Sequence, residues 1–132
     1  MWIILLALVA FVVVGTWLGN VLTRRIASER AGEGFGDFAA HFTGQNIPRE
    51  ILLNTYDYFE EWNSGAVERF PVRATDNVAD VYGIVDEDLY DAIEEVLKKS
   101  GRRGLYKSER PDLPRIETVE DIVLYVAAAP LA

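Results

Sequence analysis

Six carboxylates crowd one short stretch and are the most obvious candidates for chemistry: Asp86, Glu87, Asp88, Asp91, Glu94 and Glu95. Carboxylate oxygens bind calcium, but a calcium loop that begins at Asp86 needs glycine where Asp91 stands and glutamate where Leu97 stands. Helical spacing also spreads the six acids over different faces. The sequence therefore predicts no metal site and favours a solvated acidic helix.

The residue types of the common catalytic sites are largely missing. The chain has no cysteine, which excludes thiolate nucleophiles and disulfides, and its single histidine is His41. No Gly-x-Gly-x-x-Gly sequence or Walker-type loop is present. We therefore predict a protein that is not an enzyme and carries no cofactor. Its net charge of −8 argues against a general affinity for nucleic acid.

Charge is segregated along the chain. From Asp76 to Glu95 there are eight acids and no bases. Bases dominate the next stretch: Lys98, Lys99, Arg102, Arg103, Lys107, Arg110 and Arg115. Two solvated faces that complement the helix ends would explain this layout. The alternative is an acidic docking face for a basic partner, with the basic loop near anionic lipid. The candidate partner-binding residues are then Glu87, Asp88, Asp91, Glu94 and Glu95, and the candidate lipid contacts are Arg24, Arg25, Arg102 and Arg103.

The N-terminal run from Trp2 to Leu22 is uncharged and almost wholly apolar. At ~1.5 Å per residue, a helix of this length covers the ~30 Å hydrocarbon core of a bilayer. A cleaved signal peptide is the competing interpretation, but it normally has basic residues before the apolar run. Here the bases follow it, at Arg24, Arg25 and Arg30. We predict a single-pass anchor over residues 1–25, with the soluble domain in the cytoplasm.

Two features of the N-terminal third have alternative interpretations. Gly15 and Gly19 form a Gly-x-x-x-Gly pair, which would allow a homodimer through the anchor or simply place two small residues against lipid. Residues 26–45 contain four glycines and predict a tether. Within it, three phenylalanines at helical spacing would form a short amphipathic turn on lipid or on the domain, namely Phe35, Phe38 and Phe42.

Residues 46–132 predict a small all-α domain, so that the whole chain is one transmembrane helix followed by a three- to four-helix bundle. Apolar residues recur at three- and four-residue steps from Ile47 to Trp62 and indicate a first helix with Asn46 as its N-cap and Pro48 in its first turn. Asn63-Ser64-Gly65 ends it. A loop over residues 66–85 should send apolar side chains into the core. A second helix should start with Asp86 as its N-cap, and a third at Thr118 with a capping box.

This order of elements resembles the acyl carrier protein family. The resemblance covers roughly Ile47 to Val126 and is carried by two short sequences, the loop Thr75-Asp76-Asn77-Val78 with Val81-Tyr82-Gly83-Ile84, and the last helix from Thr118 to Val126. The family attaches phosphopantetheine to a serine, whose position here holds Asp86 or, with a one-residue shift, Glu87. The resemblance thus implies the fold and an acidic partner-recognition helix without the prosthetic group.

Together these features predict a membrane-tethered, non-catalytic interaction module that docks a protein partner through an acidic helix. Two alternatives stay open. The chain would be a small accessory subunit of a membrane complex, or it would handle a lipid or acyl ligand at the membrane surface.

Overall fold

The computed structural model describes residues 1–105 and 113–132. Within these residues the chain is all-α, which confirms the predicted fold class. The helices are α1 (Trp2–Glu29), α2 (Phe35–Ala40), α3 (Arg49–Trp62), α4 (Val78–Tyr82), α5 (Glu87–Lys99) and α6 (Val119–Ala128). In this part of the chain, only α1 is long and apolar enough to cross a membrane, and none of its residues is buried within the protein.

The core of the domain forms around α3, which contacts α2, α5 and α6. Apolar residues at three- and four-residue steps place one stripe each of α3, α5 and α6 inside. The buried residues of α3 are Ile51, Leu52, Thr55, Tyr56 and Phe59. Those of α6 are Val119, Ile122, Val123 and Val126. Trp62 was expected to complete the stripe of α3, but it is 41% exposed.

The segment between α3 and α5 sends Phe70, Val72 and Ile84 into the core, as the sequence predicts. It also contains α4, which was expected to be loop. The Asn77 side chain caps this helix by accepting hydrogen bonds from two backbone N–H groups, and Gly83, at φ +67°, ends it. Five residues are too few to give a clear helical period.

The three expected helix starts had different outcomes. The capping box at Thr118 is confirmed, because its side chain accepts from the Asp121 N–H at 3.2 Å and Asp121 accepts in return from the Thr118 N–H at 3.0 Å. Asp86 directly precedes α5 and has a φ of +48°, but its side chain accepts no capping hydrogen bond. Asn46 lies outside α3, which begins at Arg49 after Pro48.

The structure differs from the predicted tether over residues 26–45 and agrees with the alternative that its phenylalanines form a short turn on the domain. Phe38 and Phe42 are buried in the core, and Phe38 makes an edge contact with Tyr56 of α3 at 5.4 Å between ring centroids. α2 holds these rings in place, and its first turn is closed by the Asp37 carboxylate, which accepts from the Gly34 N–H at 2.9 Å. Aromatic burial outweighs the local flexibility of the glycines, so this segment is part of the domain.

Arg30, directly after α1, joins that helix to the domain. Its guanidinium contacts both carboxylate oxygens of Asp76, at 2.9 and 2.5 Å, and also donates to the Pro71 carbonyl at 2.9 Å. The side chains of the pair are only 9% and 3% exposed. The Tyr82 hydroxyl donates to Asp76 at 2.8 Å, so one carboxylate connects the end of α1 to α4.

Candidate functional site

The acidic residues of α5 occupy its outer side, because Ala92, Ile93, Val96 and Leu97 turn inward. Glu87, Asp88 and Asp91 are exposed and Glu95 is half-buried. Both Asp86 and Glu87, the two candidates for the serine position of the acyl carrier resemblance, are exposed where α5 begins. Four of the five candidate partner-binding residues therefore lie on one accessible side of the domain.

Glu94 does not belong to this accessible set, contrary to the prediction. It is 7% exposed, and its carboxylate accepts a hydrogen bond from the Leu105 N–H at 2.5 Å. Lys98, one turn further along α5, lies 3.5 Å from the same carboxylate. Glu94 thus holds the chain that follows α5 against the helix, a structural role that the charge pattern did not reveal.

A groove of about 590 Å³ runs between α3 and the outer side of α5. Its walls combine two aromatic side chains with three carboxylates and one lysine: Tyr58, Trp62, Glu61, Asp91, Glu95 and Lys99. We call it the docking groove. The rings of Tyr58 and Trp62 are stacked, with centroids 6.2 Å apart and planes inclined by 26°. The Trp62 indole N–H donates to the Tyr82 carbonyl at 2.7 Å, which fixes the orientation of the ring.

The electrostatics of the docking groove are negative. Partial burial raises the pKa of the Tyr58 hydroxyl, and the surrounding carboxylates, first Asp91 and then Glu95, raise it further because they disfavour a phenolate. Lys99 offsets part of this charge by pairing with Glu95 at 3.5 Å. Two aromatic faces beside clustered carboxylates form a surface that attracts a cation.

The four arginines proposed as lipid contacts are not brought together. Arg24 donates from Nε to the Ala66 carbonyl at 3.2 Å, beside the end of α3, and Arg25 pairs with Glu29 at 3.5 Å on the surface of α1. Arg102 is half-buried and donates to the Ala129 carbonyl at 2.9 Å after α6. Arg103 is exposed beside it. Lys107 and Arg110 of the predicted basic stretch lie outside the described residues.

The two glycines of α1 have different surroundings. Gly19 lines a cleft between α1 and α4, together with Leu22 and Ile26. Gly15 lies one turn earlier, outside that cleft, on the exposed surface of α1. Both interpretations of the pair, a homodimer through the anchor and two small residues against lipid, stay predictions.

His41, the single histidine, has a charged partner in the structure. Its Nε2 contacts a carboxylate oxygen of Glu120 in the first turn of α6 and so connects the end of α2 to that helix. No signal in the sequence links two residues 79 positions apart. Among residues 1–105 and 113–132, no group of three or more histidine, aspartate or glutamate side chains is arranged to hold a metal ion.

Comparisons with protein families, with curated proteins and with solved structures gave no match to this chain. The acyl carrier resemblance thus stays a prediction, and any functional assignment depends on the geometry described above.

Proposed function

We propose that this protein is a membrane-anchored, non-catalytic docking module whose docking groove binds a basic segment of a partner protein. In this proposal α1 spans the bilayer and the domain lies on the cytoplasmic side. The stacked pair of Tyr58 and Trp62 beside the α5 carboxylates is the observation that carries the proposal.

The docking groove has the chemistry to bind a lysine or arginine side chain. A cation over a tyrosine or tryptophan face gains about 0.5–1 kcal/mol at an exposed site, and an arginine–carboxylate pair adds directed hydrogen bonds. The Trp62 indole is already held by its hydrogen bond to Tyr82, so binding costs little additional ordering of that ring. Complementary charge would also accelerate the encounter with a basic partner.

The charge around α1 supports the cytoplasmic orientation. Arg24 and Arg25 follow the apolar run, and basic residues are enriched on the cytoplasmic side of membrane helices. Arg30 contributes less to this bias than the sequence suggests, since its charge is paired with Asp76 inside the domain. Basic juxtamembrane segments of other membrane proteins occur on that same side and are the expected class of partner.

Charge reversal tests the docking groove. A full-length triple variant, Asp88→Lys, Asp91→Lys and Glu95→Lys, should lose the partner in a pull-down from detergent-solubilised membranes. The matched control reverses three exposed acids that do not line the groove, Glu50→Lys, Glu68→Lys and Glu117→Lys, and should keep it. Both triple variants change the net charge by the same amount, so equal recovery with the two proteins would contradict the docking groove as the binding surface.

Trp62 provides a test that leaves charge unchanged. Trp62→Leu removes the aromatic face while α3 keeps an apolar residue, and it should weaken binding by about fivefold, as loss of about 1 kcal/mol of cation–π energy implies. The affinity is measured by titrating the purified full-length protein into a fluorescently labelled, arginine-rich peptide and following the fluorescence of that peptide. Unaltered affinity would exclude the stacked pair from the binding surface.

The exposed surface of α1 favours a second candidate function, that of an accessory subunit whose anchor makes the main contact. Replacing residues 2–18 with an unrelated apolar helix separates the two functions, because it leaves the α1 residues that contact the domain in place. A docking module keeps its partner after this exchange, whereas an accessory subunit loses it.

A further inference from the structure

A second cavity lies where α1 meets the domain, away from the docking groove. It measures about 270 Å³ and is bounded by Gly19, Leu22 and Ile26 on one side and by Asn63, Ala79 and Asp80 on the other. We call it the anchor cleft. Its volume is just below the ~300 Å³ at which pockets for small molecules begin, so it has room for part of a ligand.

Asn63 is the unusual side chain of the anchor cleft. The residue is 8% exposed, and its Nδ2 has no hydrogen-bond partner within the described structure. A buried donor left without an acceptor is unfavourable, because it has given up its hydrogen bonds to water. Because the last torsion of an asparagine has a broad minimum, the amide can turn toward an acceptor in the cleft. An oxygen atom of a ligand would remove this penalty.

The position of the anchor cleft along α1 indicates where that oxygen comes from. Gly19 and Leu22 lie about 26 and 30 Å from Trp2 along the helix at 1.5 Å per residue, toward the end of an uncharged run about 30 Å long. This length matches the hydrocarbon core, so the cleft opens where acyl chains give way to polar headgroups. Its α1 wall has a gap at Gly19, where an added Cβ would meet no atom within 4 Å.

One charged residue, Asp80, lines the anchor cleft, and a positive charge lies near it on a residue outside the lining. The Arg24 guanidinium donates to the Ala66 carbonyl, and the Ala66 N–H in turn donates to the Asn63 carbonyl at 3.1 Å, so a positive charge lies one short turn from Asn63. A headgroup with a phosphate and an ammonium group complements this pair of charges, whereas a purely anionic headgroup would meet Asp80 unfavourably.

We propose that the anchor cleft binds one glycerophospholipid with a zwitterionic headgroup. A lipid carbonyl oxygen accepts a hydrogen bond from Asn63, the phosphate lies toward Arg24 and the ammonium toward Asp80, while the acyl chains stay in the bilayer along α1. This site rests on the membrane placement given in the proposed function and does not involve the docking groove.

Native mass spectrometry of the full-length protein in mild detergent, with added phosphatidylethanolamine, tests the site. The unaltered protein should retain one lipid per chain. Asn63→Asp, which replaces the donor with an acceptor, should weaken lipid binding about tenfold, the loss expected for one hydrogen bond of about 1.4 kcal/mol. Gly19→Leu, which fills the cleft from the α1 side, should weaken it at least as much.

Gly15→Leu is the matched control, since it adds the same side chain to α1 one turn outside the anchor cleft and should keep the lipid. Circular dichroism and thermal melting of all three variants establish that each is folded.

Asp80→Asn should raise the affinity for phosphatidylglycerol relative to phosphatidylethanolamine. Soluble glycerophosphoethanolamine, which has no acyl chains, should not compete, and competition by it would mean that the site binds a free phosphate ester.

Equal lipid retention by the unaltered protein, Asn63→Asp and Gly19→Leu would overturn the cleft proposal. An alkaline wash of membranes distinguishes this failure from that of the membrane placement. If the protein stays in the membrane while the variants keep their lipid, only the cleft proposal falls. If the protein is released into the wash, the membrane placement is wrong and the lipid site falls with it.

Discussion

Removing Arg30 tests how firmly α1 is fixed to the domain. Arg30→Met keeps much of the aliphatic length but leaves the Asp76 carboxylate buried without its cationic partner. Two neutral donors remain to that carboxylate, the Tyr82 hydroxyl at 2.8 Å and the Arg73 N–H at 3.0 Å. Breaking a buried pair from one side costs about 3–5 kcal/mol, because a desolvated charge stays behind.

The expected loss is a large part of the total, since small domains unfold with only about 5–15 kcal/mol. Urea unfolding of the full-length protein in detergent micelles, followed by near-ultraviolet circular dichroism, measures the change. The control is Arg25→Met, which breaks an exposed pair with Glu29 whose side chains are 76% and 66% exposed. An exposed pair four residues apart on a helix contributes about 0.3–0.5 kcal/mol, so the control should unfold almost as the unaltered protein does.

The double variant Arg30→Met, Asp76→Leu separates a stranded charge from lost packing. If the stranded carboxylate causes the loss, removing it as well should restore much of the stability, although Tyr82 then loses its acceptor. A loss below about 1 kcal/mol for Arg30→Met, equal to that of Arg25→Met, would refute the reasoning. It would mean that the pair is open to water in solution.

Three further changes test other parts of the fold in the same unfolding assay. Thr118→Ala removes the cap of α6 and should lower the free energy of unfolding by about 1 kcal/mol. Thr75→Ala, at an exposed position without a capping role, should lower it little. Equal decreases in the two variants would argue against the cap. Phe38→Ala should lower the free energy of unfolding by about 3–5 kcal/mol, because Phe38 is only 2% exposed. The control Leu124→Ala, at a residue that is 39% exposed, should lower it much less. Unchanged stability in Phe38→Ala would support the tether interpretation of residues 26–45. Burial and the Asp76 carboxylate raise the pKa of Tyr82 far above its usual value of about 10, so the folded protein keeps this proton while the unfolded chain loses it. The contribution of Tyr82 to the free energy of unfolding is therefore fully present below pH 10, and above it this contribution falls by up to about 1.4 kcal/mol per pH unit. The stability of Tyr82→Phe should decline less steeply than that of the unaltered protein between about pH 9 and pH 11.

The long helices of the domain could be predicted because their information is local. Apolar residues at three- and four-residue steps identify α3, α5 and α6 whatever they pack against. The capping box at Thr118 is equally local, since its two partners are three residues apart. The errors occurred where a distant contact decides the structure. Phe38 and Phe42 are ordered by the core despite the surrounding glycines, and Glu94 turns inward to a backbone N–H eleven residues away.

The candidate sites depended still more on tertiary structure. The acidic charge of the docking groove is visible in the sequence of α5, but its aromatic wall comes from α3, and Trp62 is held there by a hydrogen bond to Tyr82, 20 residues away. The anchor cleft had no signal in the sequence, since it joins Gly19 to Asn63 and Asp80.

The all-α class, the apolar helix at the N-terminus and the segregation of charge can all be predicted from the amino acids alone. Each of these depends on residue type and on spacing within one element. Two further features required the folded structure: the pair of Arg30 and Asp76, 46 residues apart, that joins the end of α1 to the domain, and the accessibility of each acid. Burial and pairing depend on how elements pack together, and local periodicity does not specify that packing.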